Sequence, residues 1–360
     1  MKLSRTLATI ATFTLIIAGI FSLTLPPVYA LPSVNLASMS GCGSSVSQPV
    51  YDSARNAYWQ VCYTSGVLFK QDFSTNPATL TPYATNTLMA SANPIGLEQD
   101  TNNLYATGRV SREIFKIPKA DPTSISILLA SGTLTGDVLY PTIRDGFLYV
   151  PYGNGVAKID TTSGATILII TGEQMFACSS DPTIILCTAQ SSGKLYEINP
   201  TTNVAILRVS GLSTPSGFRI TSDFVYVGQE VADGSIAKIS RSTWTTSATG
   251  TVSSGTGDMP YGVMLIGDFL TVTTEGIGSA QGNRNIYIFN PTTMALLAVI
   301  QSPVKTTVTI DGVPTQVVRP LFFQATNGVN IVAAFQGSSG SAEISNWQAS
   351  VPTSTTTTTT

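Results

Sequence analysis

Short runs of apolar residues alternate with polar turns along most of the chain, and this pattern predicts β-strands rather than helices. The stretch FLYVPYGNGVAKIDTTSGATILIITG (147–172) contains three such runs, joined by a Gly-Asn-Gly turn and by DTTSG. The order of strand, polar turn and strand recurs in GKLYEINPTTNVAILRVSG (193–211) and NIYIFNPTTMALLAVIQS (285–302). The residues that begin these turns share a short side chain that can bond the turn's own backbone. They are Asp160, Asn199 and Asn290.

The starts of the repeated units recur at intervals of roughly 40–45 residues. They are Pro49, Pro94, Val138, Met175, Pro215, Pro260 and Pro320. Four strands in each interval are typical of a β-propeller blade. The longer last interval contains VKTTVTIDGVPTQVV (304–318), predicted to be an inserted hairpin that turns at Asp311-Gly312. The sequence therefore predicts an all-β fold, a seven-bladed β-propeller of four-stranded blades.

The seventh unit ends after its third strand, SAEISNWQA (341–349). A missing fourth strand is available at the other end of the chain, in LPSVNLASMSG (31–41). We expect this N-terminal strand to close the ring by completing blade seven, which would protect an otherwise open edge. The alternative is an irregular N-terminal arm.

LYVPYGNGVAKIDTTSGATILIITG resembles the YVTN-type β-propeller repeat in its Tyr-Val start, its central Val-x-x-Ile-Asp-Thr and its closing Val/Ile-rich strand. The resemblance covers most of residues 49–350, and the third, fourth and sixth units match well. Tyr149-Val150 is followed by Pro151-Tyr152 rather than by Thr-Asn. The resemblance implies a secreted or surface-associated propeller, and by itself it implies no activity.

The first 30 residues resemble a secretory signal peptide: a positive start with Lys2 and Arg5, an apolar run from Leu7 to Leu25, and Val28-Tyr29-Ala30 as a cleavage site. The alternative is an uncleaved anchor, since the run is almost long enough to span a bilayer. We expect the propeller domain to occupy residues 31–350, without a membrane span in the mature chain. The Thr-rich tail, 351–360, is predicted to be disordered and is of the kind that carries O-linked glycans.

Four cysteines suit an exported protein. We predict two local disulfides, Cys42–Cys62 and Cys178–Cys187, although four cysteines allow three pairings and sequence alone does not decide among them. A redox or metal role is the alternative, but the cysteines lack CxxC spacing.

Composition excludes several function classes. Only 11% of residues are charged and the net charge is −2, so a nucleic-acid partner is not expected. The chain has no histidine, which excludes Ser-His-Asp and Cys-His nucleophile systems and His-ligated zinc.

The residues just before the unit starts should converge on the mouth of the central channel. Four of them supply oxygen atoms suited to Ca²⁺ or another divalent cation. They are Asn93, Asp137, Glu173 and Asp258. Gluconolactonase-like propellers hold a divalent ion there, but the chain matches only residue types and no motif. The alternative is that these are polar loop tips that cap turns.

Other side chains are weaker candidates for binding a ligand in this channel. Arg144, Arg219 and Arg319 could receive an anionic ligand; alternatively Arg144 and Arg219 pair with Asp145 and Asp223. Glu98 has a similar position on an inner strand. Three aromatic residues could stack on sugar or, as we favour, belong to the core between blades. They are Tyr152, Trp244 and Trp347.

The sequence predicts a non-catalytic extracellular β-propeller that binds a surface protein or glycan, or serves as a scaffold at the cell surface. The alternative is a metal-dependent secreted hydrolase, lactonase-like, that uses the carboxylates at the channel mouth. A third hypothesis makes the propeller the head of a cell-surface layer or fibre, with the Thr tract as its stalk.

Overall fold

The computed structural model describes residues 34–39, 42, 47–72, 79–83, 87–252, 257–276, 285–300, 305–310, 313–318, 321–326, 330–335 and 342–348. One compact unit spans Pro32–Val351. Four features of the sequence analysis lie outside the described residues: the predicted signal, the Asp311-Gly312 turn, Arg319 and the Thr-rich tail.

Thirty strands and a short helix are assigned within the described ranges. The first strand is β1 (Val34–Met39). Blade I contains β2 (Val50–Asp52), β3 (Ala57–Val61), β4 (Leu68–Asp72) and β5 (Thr79–Tyr83), and helix α1 (Thr87–Ala90) follows it. Blade II contains β6 (Pro94–Gln99), β7 (Asn103–Gly108), β8 (Ile114–Pro118) and β9 (Ser126–Leu129). Blade III contains β10 (Thr142–Arg144), β11 (Phe147–Tyr152), β12 (Gly155–Asp160) and β13 (Thr166–Ile170).

The second half continues in the same way. Blade IV contains β14 (Ala177–Ser180), β15 (Ile185–Ala189), β16 (Lys194–Asn199) and β17 (Val204–Val209). Blade V contains β18 (Pro215–Ile220), β19 (Phe224–Gln229), β20 (Ser235–Ser240) and β21 (Thr246–Thr251). Blade VI contains β22 (Asp258–Ile266), β23 (Phe269–Gly276), β24 (Ile286–Phe289) and β25 (Leu296–Ile300). The predicted inserted hairpin is confirmed as β26 (Lys305–Ile310) paired with β27 (Val313–Val318). The last strands are β28 (Leu321–Thr326), β29 (Asn330–Phe335) and β30 (Ala342–Gln348).

The predicted count of seven blades is corrected to six. In the described residues, six sheets are blades of four consecutive strands, each strand paired with its neighbour in sequence. The seventh repeat supplies only β28, β29 and β30, so its four-stranded sheet needs a strand from elsewhere in the chain and is not a blade of consecutive strands. These strands form a composite with β1, in the order β1-β30-β29-β28, which we call the terminal sheet. The physical reason is that three strands leave an open edge, and the first strand of the chain covers it.

The pairing of the two chain ends was predicted correctly. Strand β1 runs antiparallel to β30, with Ala37 opposite Ile344. On its other side the terminal sheet is fastened to blade VI through the buried Gln324, whose amide donates to Thr271 O at 2.9 Å and to Gly262 O at 3.3 Å.

The core lies between adjacent blades. Blade I supplies Trp59 and Leu68 to one such layer, and blade II supplies Leu97, Leu104 and Phe115. A middle strand packs on both faces, which is why every residue of β3 and β15 is buried. Each fully buried side chain of this size contributes on the order of 1.5–3 kcal/mol to folding, so these layers hold the blades in their order.

Hydroxyl groups join the inner strands of neighbouring blades. Thr107 Oγ1 accepts from Gly96 N at 3.0 Å and donates to Leu139 O of blade III at 2.7 Å. Thr188 has the corresponding position in blade IV and donates to Ser216 O of blade V at 3.2 Å. These carbonyls are buried away from water, where an unpaired polar group costs about 1–3 kcal/mol. The hydroxyls therefore let adjacent inner strands approach without losing hydrogen bonds.

The approach is closest at two glycines. A Cβ atom on Gly96 would lie 2.5 Å from Leu139 O, and one on Gly217 would collide with Tyr261 O. Where strand β19 has Gly228 in place of a threonine, Ser216 supplies the hydroxyl instead and lies 2.9 Å from Pro260 O.

The predicted Asx turns are confirmed. Asp160 Oδ1 accepts from the backbone N–H of Thr162 and Ser163 at 2.9 and 2.7 Å. Asn199 and Asn290 make the same pair of bonds in blades IV and VI.

A lysine of the third strand reaches the Asx turn of the following blade. Lys158 Nζ donates to Pro200 O at 2.6 Å, and Lys238 Nζ donates to Thr292 O at 2.8 Å. Lys238 is buried, and burial lowers its pKa. These contacts tie the outer halves of adjacent blades as the hydroxyls tie the inner halves.

Both predicted disulfides are confirmed, Cys42–Cys62 and Cys178–Cys187. Cys178 and Cys187 are directly opposite one another in the β14–β15 pair. No cysteine is free.

Replacing Thr107 by Val is expected to lower the free energy of unfolding by about 1–3 kcal/mol, because Gly96 N and Leu139 O lose a buried partner while side-chain volume is kept. Urea unfolding followed by fluorescence measures the change. Thr107→Ser, which keeps the hydroxyl, should recover much of it. The control is Thr249→Val on exposed β21, where a change within about 0.5 kcal/mol is expected. Equal losses at positions 107 and 249 would contradict the role given to this hydroxyl.

Candidate functional site

One end of the propeller is built from the connections that enter each inner strand and the loops between second and third strands. Arg109 N, in the β7–β8 loop, donates to Asn93 O at 3.1 Å. Glu230 N, in the β19–β20 loop, donates to Thr214 O at 2.9 Å. We call this end the channel mouth. The repeated backbone bonds fix its loops in place.

A cavity of about 250 Å³ lies at the channel mouth. Its residues come from blades II, III, IV and VI and from the connections before them. They are Ile95, Arg109, Asp137, Leu139, Tyr140, Gln174, Phe176, Gln190, Ser191 and Tyr261. Segments far apart in sequence therefore converge here on the propeller axis.

Three aromatic rings form the floor of the cavity. Phe176 packs edge-on against Tyr140 and Tyr261, with centroids 5.2 and 5.8 Å apart. The hydroxyls of Tyr140 and Tyr261 lie 2.9 Å apart and hydrogen-bond across the axis, from blade III to blade VI. The three residues are only 4–7% exposed, so the floor is almost completely buried.

Arg109 and Asp137 form the charged part of the wall. Arg109 Nε donates to Asp137 Oδ2 at 2.9 Å, and a second guanidinium nitrogen lies 2.7 Å from the same oxygen. Both side chains are nearly half exposed, at 42% and 46%. The amide of Gln174 donates to Asp137 O at 3.1 Å and holds the connection against the wall. One positive and one negative group thus leave the wall close to neutral.

Glu173 faces sideways into blade IV. Its carboxylate accepts hydrogen bonds from Lys194, Ser192 and Tyr196, the last at 3.1 Å. Burial would raise the pKa of Glu173, but these donors outweigh it and lower the pKa. The carboxylate is therefore ionised and shared among three partners of one blade.

Asp258 is fully buried at the start of β22. Tyr287 OH donates to its Oδ2 at 2.6 Å and Asn285 Nδ2 at 3.2 Å, both from the region of β24 in the same blade. Asn93 has a φ of 52°, a left-handed conformation that Asn tolerates, and its amide donates to Tyr63 O at 3.4 Å.

The four predicted metal ligands thus have separate partners. Asp137 alone of the three carboxylates lines the cavity. Within the described ranges, no group of three or more His, Cys, Asp or Glu side chains is placed to hold a metal ion. The divalent-cation hypothesis remains a prediction, and nothing in this geometry adds support to it.

Of the predicted ligand-binding arginines, Arg144 follows the ordinary alternative: its Nε lies 3.2 Å from Asp145, and it also donates to Pro182 O at 2.8 Å. Arg219 is exposed, and no ion pair joins it to Asp223 in the described part of the chain. Arg319 lies outside that part. Tyr152 is a core residue as favoured, at 2% exposure, and Trp244 is partly buried and packs against the core of blades IV and V. The side chain of Trp347 is outside the described set.

Arg109 and the aromatic floor are absent from the sequence-based candidates. One signal could have found the floor: the residue after the unit start is apolar in Ile95, Phe176 and Tyr261. Arg109 could have been found from the arrangement of a blade. The loop between its second and third strands lies at the same end of the propeller as the connection that leads into its first strand.

Glu98 lies on the inner strand β6 and accepts from Gln99 N at 2.9 Å. Burial raises its pKa to about 7, although the Gln99 hydrogen bond and the charge of Lys119 act in the opposite direction. This carboxyl therefore titrates near neutral pH on an inner strand, outside the residues that line the cavity.

No helix among the described residues is long and apolar enough to cross a membrane.

Solved structures with a similar fold are β-propellers of varied function. A catalytically inactive virginiamycin B lyase from Staphylococcus aureus, solved with quinupristin, has a TM-score of 0.62 at 13% identity and covers 87% of this chain and 99% of its own. YCF48 bound to D1 peptide gives 0.63 at 10% identity, covering 89% and 100%. The WD40 propeller domain of Doa1 gives 0.63 at 13% identity, covering 87% and 97%. No family model and no curated protein matches the sequence, so the YVTN relationship stays a resemblance.

Replacing Glu98 by Gln is expected to make stability less dependent on pH. The folded pKa is about 7 and the unfolded value about 4.5, so the folded state retains a proton that the unfolded state releases. Wild-type stability should therefore fall, relative to the variant, as pH rises from about 4.5 to about 7, and the difference should be constant above that. Urea unfolding of both proteins at about pH 5 and about pH 8 measures it. A difference that is the same at both pH values would contradict the burial assigned to this carboxyl.

Proposed function

We propose that the chain is a non-catalytic extracellular binding module whose ligand contacts the channel mouth. The observation that carries the proposal is the cavity there, with an apolar floor and a polar wall fixed by backbone hydrogen bonds. An apolar pocket with a few placed polar groups is the usual form of a ligand site.

The extracellular location is supported by two disulfides and by the signal-like first 30 residues. Disulfides persist in oxidising compartments and are rare in the cytosol. A Thr-rich tail suits the same setting, since such tracts are typical of extracellular stalks.

A binding role is favoured over catalysis by the side chains at the mouth. The similar lyase is inactivated by replacing a histidine with alanine, and this chain contains no histidine. Asp137 is held by Arg109, and no second carboxylate lines the cavity to act with it. The similar fold of YCF48, solved with a bound peptide, is a precedent for peptide recognition by this fold.

The experiment that tests this function is binding of the purified, fluorescently labelled protein to intact cells of the organism that makes it. Binding should be saturable and competed by unlabelled protein. Arg109→Ala should weaken it by about tenfold or more, because it removes a donor from the wall and leaves Asp137 unpaired. The matched control is Arg208→Ala, which breaks another Arg–carboxylate pair, with Glu197 at 2.7 Å, on the outer strand β17.

Equal effects of the two arginine replacements would place binding elsewhere on the propeller. Absence of any saturable binding would overturn the proposed function.

Export makes a separate prediction. The protein recovered outside the producing cells should begin at Leu31, as read by N-terminal sequencing. Changing Ala30 to a bulky residue such as Phe should block processing, because signal cleavage requires a small side chain there. Recovery of an intact Met1 or Lys2 end from the outer surface would instead support the uncleaved anchor.

A further inference from the structure

The size of the cavity limits what can enter it. At about 250 Å³ it is smaller than the roughly 300–1,000 Å³ of sites that enclose a whole drug-sized molecule. The three aromatic residues of its floor are each only 4–7% exposed, so little ring surface is available at the base of the cavity. One slender side chain fits this space, with the remainder of the ligand outside.

The floor selects an apolar group. Ile95 and Leu139 accompany the three rings, and the two tyrosine hydroxyls are bonded to each other rather than directed at the opening. Sugars commonly stack on an open ring face, whereas these rings meet edge-on and are buried. An aliphatic chain therefore suits the floor better than a sugar ring.

The wall selects against a strongly charged ligand. Arg109 and Asp137 neutralise one another, and the other polar members are the amides of Gln174 and Gln190 and the hydroxyl of Ser191. The amide nitrogens of Gln174 and Gln190 already donate within the protein, to Asp137 O, Met175 O and the Glu230 carboxylate. Their amide oxygens are left to accept from a peptide N–H, and the Ser191 hydroxyl can donate to a peptide C=O. Arg109 and Asp137, which are nearly half exposed, lie in the same wall as these groups.

We propose that the channel mouth binds an extended peptide segment through one aliphatic side chain of the size of Val, Leu, Ile or Met. The side chain enters the cavity down to Phe176 and Tyr261, and the flanking backbone crosses the wall at Ser191 and Arg109. This inference rests on the proposed binding function and specifies its ligand class.

The test is a displayed library of random linear peptides, selected against the full-length protein. Recovered peptides should share one aliphatic residue, and replacing that residue by Gly should weaken binding at least tenfold. Ser191→Trp should weaken binding to a similar degree, because an indole at this exposed loop position blocks the opening. The matched control is Ser222→Trp, an exposed serine in the β18–β19 turn at the other end of a blade, which should bind as the wild type. Melting curves establish that both variants are folded.

Two results would overturn this inference and leave the binding function standing. One is recovery of peptides that need no aliphatic residue or that bind Ser191→Trp as well as wild type. The other is recovery of no peptide while Arg109-dependent binding to cells persists, above all if periodate oxidation of cell-surface glycans abolishes it. Loss of both peptide binding and cell binding would overturn the inference and the proposed function together.

Discussion

Crowding of the inner strands around the axis is the constraint on which the rest of the structure depends. Each inner strand must approach the next closely, and the backbone carbonyls that face the neighbouring blade are then buried away from water and need a hydrogen-bond donor. Thr107 and Thr188 solve this with a hydroxyl that spans two blades, and Ser216 does so where the neighbouring second strand has Gly228. The glycines at 96 and 217 follow from the same crowding, because a Cβ atom would collide with the adjacent carbonyl. The inner ring is consequently set by steric fit and hydrogen bonding together.

The inner strands also position the residues of the candidate site. The floor residues Tyr140, Phe176 and Tyr261 lie next to the strand starts that the ring fixes, so their edge-on contacts join blades that are distant in sequence. The wall residues are held by loop backbone bonds to the same connections. These groups are therefore already in position, which would reduce the entropy lost by a ligand of the proposed kind.

Local features of the fold could be predicted from sequence because local chemistry decides them. The turns at Asp160, Asn199 and Asn290 depend on one side chain bonding its own backbone two and three residues on. The disulfides join cysteines near in sequence, and the four-strand repeat is carried by turn spacing. The blade count is corrected because six sheets are blades of four consecutive strands, whereas the last three strands form a four-stranded sheet with β1, a pairing that the sequence did predict.

The site itself was predicted less well, since sequence position places a residue at the mouth but does not give the direction of its side chain. Glu173 accepts a hydrogen bond from Lys194, and Asp258 accepts one from Tyr287. Each carboxylate is therefore bonded within its own blade region rather than directed into the cavity. Asp137 lines the cavity, but its partner Arg109 comes from a loop 28 residues earlier in the chain, and only the arrangement of the blades brings the two together.

The hydrogen bonds that join the inner strands and the wall of the cavity are made by different residues. The hydroxyl bridges involve buried atoms, whereas Ser191 is exposed and the side chains of Arg109 and Asp137 are nearly half exposed. Among the described residues, no hydrogen bond joins these three side chains to the bridges. A surface ion pair such as Arg109–Asp137 contributes about 1 kcal/mol or less to stability, and an isolated exposed position about 0.5 kcal/mol or less. Substitutions in the wall are therefore compatible with the same fold. Chains only 10–13% identical share this architecture although one is a lyase, one was solved with a bound peptide and one is a WD40 domain, so the fold alone does not indicate a ligand.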